Sequence, residues 1–202
     1  MTQRRSAKIN RRADILRAAE RLMTTEGLTG VTTRKISEAV GCSEGALYVH
    51  FKGRLDLLLA MLEASLPEML RPLQTLQSRV GHGSPQGNLR AALRGIFTFH
   101  QRVTPRVAAL FADPELHAAF RVSLARQGKG PHLSMKVIGD YIAAEQRLGR
   151  VGARVDPQLA AFLLMSSSFF QAFNEQFFPM ARRADWNKLV SHLIATVVPS
   201  SS

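Results

Sequence analysis

The chain has 202 residues, 46% of them apolar, and carries 27 Lys and Arg against 15 Asp and Glu, a formal net charge of +12. That apolar share suffices for a full core and excludes disorder as the main state, while a single cysteine excludes a disulfide framework and a cysteine-based zinc site. The longest apolar stretches, such as Leu159–Met165, fall far short of a membrane span, and no apolar segment follows the Arg-rich start closely enough for a secretory signal, so a cytoplasmic location with no membrane partner is expected.

Period-2 alternation is absent and helical spacing recurs along the chain, which predicts an all-α fold. A first helix is expected from Asn10 to Glu26, with Ile15, Leu16, Ala19, Leu22 and Met23 on one face, Asn10 as N-cap and Gly27 as a positive-φ stop. A short helix follows at 33–40, capped by Thr32 or Thr33 and burying Ile36, Ala39 and Val40. Gly41 ends it, Cys42 points inward, and Ser43 caps a third helix at 44–50 whose core residues are Leu47 and Phe51. A long helix then starts at Arg54 with Leu55, Leu58, Leu59 and Leu62 inward and runs at least to Leu66. Beyond Pro67, Gly81–Gly87 reads as a linker. Longer helices are expected at 88–103, 105–111, 114–126, 131–148, 157–178 and 185–198, with a frayed tail at 199–202. The boundary falls near 54: residues 1–54 form a helix-turn-helix domain with a basic N-terminal tail, and 55–202 a larger helical domain.

Charge is uneven between the two. Residues 1–54 hold 11 basic and 5 acidic residues, and the first twelve hold Arg4, Arg5, Lys8, Arg11 and Arg12 with no acid. Such a run invites an acidic partner. Thr32–Arg54 supplies the geometry. Two short helices meet at a tight Gly-containing turn, so the first braces the second by its buried face and leaves the second free to enter a major groove. The outer face of the second helix carries Glu44, Gly45, Ala46, Tyr48, Val49 and His50. Gly45 and Ala46 are small enough for close approach, Tyr48 and His50 can hydrogen-bond phosphates, and Arg34, Lys35, Lys52 and Arg54 add charge. Glu44 is awkward on such a face and is expected to act at the helix N-terminus instead.

This stretch, with TTRKISEAVG followed by a segment ending LYVHFKGR and a Leu-rich helix, resembles the TetR family of bacterial transcriptional regulators. The resemblance covers roughly residues 10–62. It implies that Thr33 and Arg34 approach DNA from the bracing helix, that Gly45 and Ala46 read bases, that Tyr48 and His50 contact the backbone, and that Arg54 lies near a phosphate. Gly53 stands where relatives often carry a polar residue. The resemblance also implies that the basic tail can reach a minor groove, with Arg4, Arg5 and Lys8 adding affinity more than specificity.

One two-turn recognition helix reads few base pairs, so a homodimer on a near-palindromic duplex operator is expected. The penultimate helix is apolar on two sides, through Phe162, Ser166, Phe170, Phe173 and Phe177, and the last adds Trp186, Leu189, Val190, Leu193 and Val197. By resemblance these helices pair with their symmetry mates in a four-helix bundle. The resemblance further implies a pocket for a small-molecule effector of unknown identity that releases a repressor from DNA. Its candidate walls are Phe97, His100, Phe111, Phe120, Met135, Tyr141, Met165 and Phe169, while Arg102, Arg106, Asp140 and Glu145 fit a solvated face better. An all-helical enzyme and an effector-independent DNA-binding regulator are the alternatives. The enzyme has no support: the sequence holds no catalytic motif, its six histidines are scattered singly, and no cofactor or metal is called for.

Overall fold

The computed structural model describes residues 2–64, 66–128, 130–178 and 185–199, with side chains from residue 11 onward except those of 66–70 and 131. Among the described residues it is all-helical: α1 (Thr2–Gly30), α2 (Thr33–Val40), α3 (Glu44–Tyr48), α4 (Arg54–Ala64), α5 (Leu66–Gln77), α6 (Pro85–Phe111), α7 (Pro114–Arg126), α8 (Pro131–Arg147), α9 (Pro157–Phe177) and α10 (Trp186–Val197). Arg4, Arg5 and Lys8 lie outside the described side chains, as do residues 200–202 of the expected tail.

The chain divides into two compact units, Met1–Ser65 with Arg106–Ser123, and Leu66–Pro105 with Leu124–Ser202. In the first, Ile15, Ala18, Ala19 and Met23 of α1 meet Ile36 of α2, Leu47 of α3, Phe51, and Leu57, Leu58, Met61 and Leu62 of α4. Leu110 and Leu116, from the end of α6 and the start of α7, complete that core. The first compact unit therefore reaches past residue 54. In the second, Leu73 and Leu76 of α5, Leu89, Leu93 and Ile96 of α6, Ile138, Tyr141 and Ile142 of α8, Ala161 and Leu164 of α9, and Val190 and Ile194 of α10 are buried together.

Several element boundaries differ from the sequence expectation. Helix α1 begins at Thr2 rather than at an Asn10 cap; Gly27, at φ +73°, interrupts it as expected, but helical hydrogen bonding resumes to Gly30. The two helices expected around Pro105 are one, α6. Proline forfeits a single helical hydrogen bond, and a long apolar helix with good tertiary packing tolerates that. The expected linker is shorter, because α6 starts at Pro85. The buried side of α4 is turned by one residue, with Leu57 and Met61 fully inside and Leu55 and Leu59 at its margin.

Caps set the later helix starts. The Asp156 carboxylate accepts from the backbone N–H groups of Gln158 (2.9 Å) and Leu159 (3.0 Å) ahead of Pro157, and Asp185 accepts from that of Asn187 (3.0 Å). Each satisfies donors that the first helical turn leaves unpaired. A polar network closes the turn between α5 and α6. Glu145 is buried, not solvated; its carboxylate accepts from the backbone N–H of Gly81 (3.1 Å) and lies 3.3 Å from Nε of Arg150, whose guanidinium also donates to the carbonyl of Gly83. Asn88 donates to the carbonyl of His82 (2.6 Å) and to the hydroxyl of Tyr141 (2.9 Å). Burial, as the largest cause, pushes the Tyr141 hydroxyl up to about 12.

His100 is the buried titratable group with the clearest pH consequence. Its Nδ1 lies 2.9 Å from the Ser168 hydroxyl, its ring meets Phe169 edge-on, and desolvation lowers its pKa to about 4. The unfolded chain binds a proton here near pH 6.5 and the folded chain only near 4, so stability is full above the upper value and falls as pH drops through this window. Denaturant unfolding at pH 5 is expected to show about 2 kcal/mol less stability from this residue than at pH 7, and His100→Gln should flatten that slope. An identical pH slope in the variant would refute the assignment.

Candidate DNA-binding surface

The helix-turn-helix is built from a few satisfied groups. Thr32 caps α2 by accepting from the backbone N–H of Lys35 (3.2 Å). Gly41 ends α2 at φ +70°, a left-handed conformation that favours glycine, and the N–H of Cys42 returns to the carbonyl of Ser37 (3.0 Å). The buried face of α2 is Ile36 with Ser37, whose hydroxyl donates to the Arg34 carbonyl (2.7 Å); Ala39 is exposed and Val40 only half-buried, against expectation. A serine that satisfies its hydroxyl within its own turn can be buried where an apolar period would have placed alanine. Cys42 is half-buried. Ser43 precedes α3 but its side chain makes no cap bond.

Leu47 and Phe51 are buried, as their spacing predicted. Helix α3 proper is one turn and ends at Tyr48. The Arg12 guanidinium stacks over the Phe51 ring, 5.0 Å from its centroid, and ties the first half of α1 to the segment that follows α3. No local pattern signals that contact, because the two residues are far apart in sequence.

The nine candidate DNA residues fall into two groups. Glu44, Gly45, Tyr48 and Lys52 are exposed, with Tyr48 at 55%, while Ala46 and His50 are half-buried on the same stretch. Added atoms at Gly45 would meet nothing nearer than the Ser43 hydroxyl at 3.9 Å, so this face is open. Others are engaged within the protein. Thr33 donates to the Glu44 carboxylate (2.9 Å), which joins α2 to α3 and gives Glu44 a bracing contact. Arg34 pairs with Glu38 (3.0 Å). Arg54 is exposed, yet its guanidinium donates to the carbonyls of Val31 (3.1 Å) and Leu28 (3.2 Å) and lies 3.7 Å from the Asp113 carboxylate. Arg106 likewise pairs with Glu20.

The model of the family "Bacterial regulatory proteins, tetR family" matches residues 15–61, the span that carries this surface. The nucleoid occlusion factor SlmA of Shewanella halifaxensis is 30% identical over 158 residues, covering 69% of this chain and 80% of that protein. The chain belongs to the TetR family. It is a DNA-binding regulator of that kind. Solved structures agree at the level of fold: a Mesorhizobium loti protein described as a TetR-family transcriptional regulator superposes with a TM-score of 0.76 at 15% identity, covering 94% of this chain and 96% of that one. SmeT, the repressor of the Stenotrophomonas maltophilia multidrug efflux pump SmeDEF, superposes with a TM-score of 0.67 at 21% identity, covering 93% and 90%; its complex with triclosan gives 0.71 at 22%, covering 94% and 92%.

In the second unit, α9 has two apolar faces. Ala160, Ala161, Leu164, Met165, Ser168 and Ala172 are buried, while Phe162, Ser166, Phe170, Phe173 and Phe177 point to solvent. Helix α10 packs largely against its own unit. Val190 is fully buried in its own unit, and Trp186, Leu193 and Val197 pack against the same core, Trp186 stacked on Phe97 at 4.3 Å. Leu189 is half-buried. The eight candidate pocket walls are divided between the two units. Phe111 and Phe120 belong to the first unit, and Phe111 is 70% exposed. In the second unit Phe97, Tyr141 and Met165 are buried, Met135 packs against the core, and Phe169 is exposed beside buried His100. Among the described residues no cluster of His, Cys, Asp or Glu is fit to hold a metal, and no helix is long and apolar enough to cross a membrane.

Proposed function

We propose that this TetR-family chain is a cytoplasmic homodimeric repressor that binds a palindromic operator, with residues 1–54 as the DNA-binding domain and 55–202 as the dimerisation and effector-binding domain. Gly45, Ala46, Tyr48, His50 and Lys52 meet the duplex, and the outer face of α9 meets its symmetry mate. The observation that carries the reading is the open face of α3: a short helix pinned from behind by buried Leu47 and Phe51, with Tyr48 and Lys52 exposed just where a groove wall would lie. Thr33 and Glu44, hydrogen-bonded to each other between α2 and α3, hold that helix in place. An effector that prefers one spacing of the two heads would shift operator affinity by its differential affinity for the two states. SmeT, a repressor solved with triclosan, supports this arm.

The relatives named as nucleoid occlusion factors favour a second reading, a DNA-binding regulator that needs no effector. Titration of the purified chain against duplexes, including the sequence upstream of its own coding region, tests both. Specific binding with a log–log salt slope of about −2 or steeper is expected, since each copy of a dimer brings Lys52 to the surface. Absence of salt-sensitive affinity for any duplex would overturn both readings. Binding at many dispersed chromosomal sites, indifferent to every small molecule tried, would favour the second.

A further inference from the structure

In the second unit, α6 and α10 are joined by a row of polar side chains that the DNA-binding reading does not use. Their apolar sides share one core through Leu89, Leu93, Val190 and Ile194, and Trp186 stacked on Phe97 closes one end of the row. Beside that core, two arginines one turn apart on α6 reach across to α10. Nε of Arg90 donates to the Ser191 hydroxyl (3.0 Å), and Nε of Arg94 donates to the side-chain carbonyl of Asn187 (3.1 Å). Arg90 is half-buried and Arg94 exposed. Neither guanidinium forms an ion pair or a further hydrogen bond among the described residues.

The row is rich in donors and lacks a countercharge. Each guanidinium spends only its Nε–H and keeps its two terminal nitrogens, with all their N–H groups. The anchors are donors as well: the Ser191 hydroxyl proton and the Asn187 side-chain N–H groups find no acceptor among the described residues. Four helical residues set the two rungs about 6 Å apart. Like charges at i and i+4 repel, and the neutral anchors on α10 fix the pair side by side without relieving that repulsion. Lys188 is exposed next to Asn187 in sequence, and residues 179–184 bring Arg182 and Arg183 with no acid. Asp185, the acid nearest α10 in sequence, caps that helix by accepting from the backbone N–H of Asn187 (3.0 Å). A planar carboxylate is saturated by one guanidinium fork. A phosphate, with oxygens in tetrahedral directions and up to two charges, can use both forks and the hydroxyl together.

We propose that the α6–α10 seam is a binding site for a phosphate monoester, gripped by Arg90 and Arg94 from one helix and met by the Ser191 hydroxyl and Asn187 amide of the other. All four residues belong to the second unit, so the site stands whether or not the chain represses transcription.

Calorimetric titration of the full chain with phenyl phosphate and benzoate tests the site. Phenyl phosphate is expected to bind at least about tenfold more tightly than benzoate, which carries the same ring on a single planar charge. Arg94→Gln should weaken phenyl phosphate by about tenfold or more, and Arg94→Lys, which keeps the charge and loses the fork, should recover only part of that loss. Ser191→Ala should weaken it by about threefold, and Lys52→Gln on the reading surface should leave it unchanged. Melting temperature reports on folding and should not fall in Arg94→Gln, because that change also removes the repulsion between the two arginines. Co-sedimentation with phosphatidic acid vesicles identifies the source of the phosphate: retention that Arg94→Gln abolishes assigns the seam to a lipid headgroup, and phenyl phosphate binding without retention assigns it to a soluble ester. Three results would overturn the proposal: no phenyl phosphate binding at millimolar concentration, binding unaffected by both Arg94→Gln and Ser191→Ala, or a shallower salt slope of duplex binding in Arg94→Gln, which would give the seam to the DNA backbone.

Discussion

Phe170→Glu is expected to convert the proposed dimer to a monomer and to lower operator affinity by more than about a hundredfold. Phe170 is 65% exposed on α9, so the change removes little from the core of its own unit, which is held by Leu164, Ser168 and Ala172 on the opposite face. In a two-fold interface each substitution appears twice, and each buries a carboxylate with no partner. Stranding one buried charge costs about 3–5 kcal/mol, more than a modest dimer can absorb twice. A monomer presents one short reading helix instead of two at fixed spacing, and loses the second half-site. Sedimentation velocity and duplex titration measure the two effects, with Phe170→Leu as the apolar control that should keep both. Its neighbours Phe173 and Phe177, whose rings lie 4.7 Å apart, extend the same face and should respond in the same direction. A Phe170→Glu chain that sediments as a dimer would place the interface elsewhere.

What the sequence discloses follows the range of the interactions involved. The helix-turn-helix is legible because its determinants are local: Thr32 bonds three residues away, Gly41 needs a left-handed φ, and Leu47 and Phe51 share a face four residues apart. The outward stripe of α9 is legible for the same reason, since one helix shows its period without help from a partner. Positions whose role depends on distant chain are not. Arg54 reads as a loose cation at the edge of a binding helix, yet its guanidinium is taken by carbonyls 23 and 26 residues earlier. Val190 reads as interface because its period cannot say which apolar side of α10 faces its own core. Glu145 reads as a surface acid until Gly81 and Arg150 close over it. The expected pocket walls are read no more sharply: aromatic residues at helical spacing mark burial and do not distinguish a wall from a core.

Tyr48→Phe and Arg54→Ala are expected to separate DNA contact from support. Tyr48 is exposed, and no hydrogen bond among the described residues occupies its hydroxyl, so that group is available to a phosphate oxygen. Its loss should weaken all duplexes together, by about tenfold to a hundredfold for a dimer, with no change in thermal stability, because phosphate contacts position without reading sequence. Enlarging half-buried Ala46 should instead change which duplex is preferred. Arg54→Ala should act through folding. It removes charged donors from the carbonyls of Leu28 and Val31, at the junction of α1 and α2, and destabilises the first unit by about 1–3 kcal/mol, nearly all from those hydrogen bonds. The Asp113 carboxylate adds little, since it sits 3.7 Å away from a partly exposed side chain and already accepts from the backbone N–H of Leu116 (3.0 Å) at the start of α7. At temperatures where the variant stays folded, duplex affinity should recover most of its original value. If Arg54→Ala instead lowered affinity with an unchanged melting temperature and a shallower salt slope, the guanidinium would be a phosphate ligand after all, and its inward bonds would be those of the free protein alone.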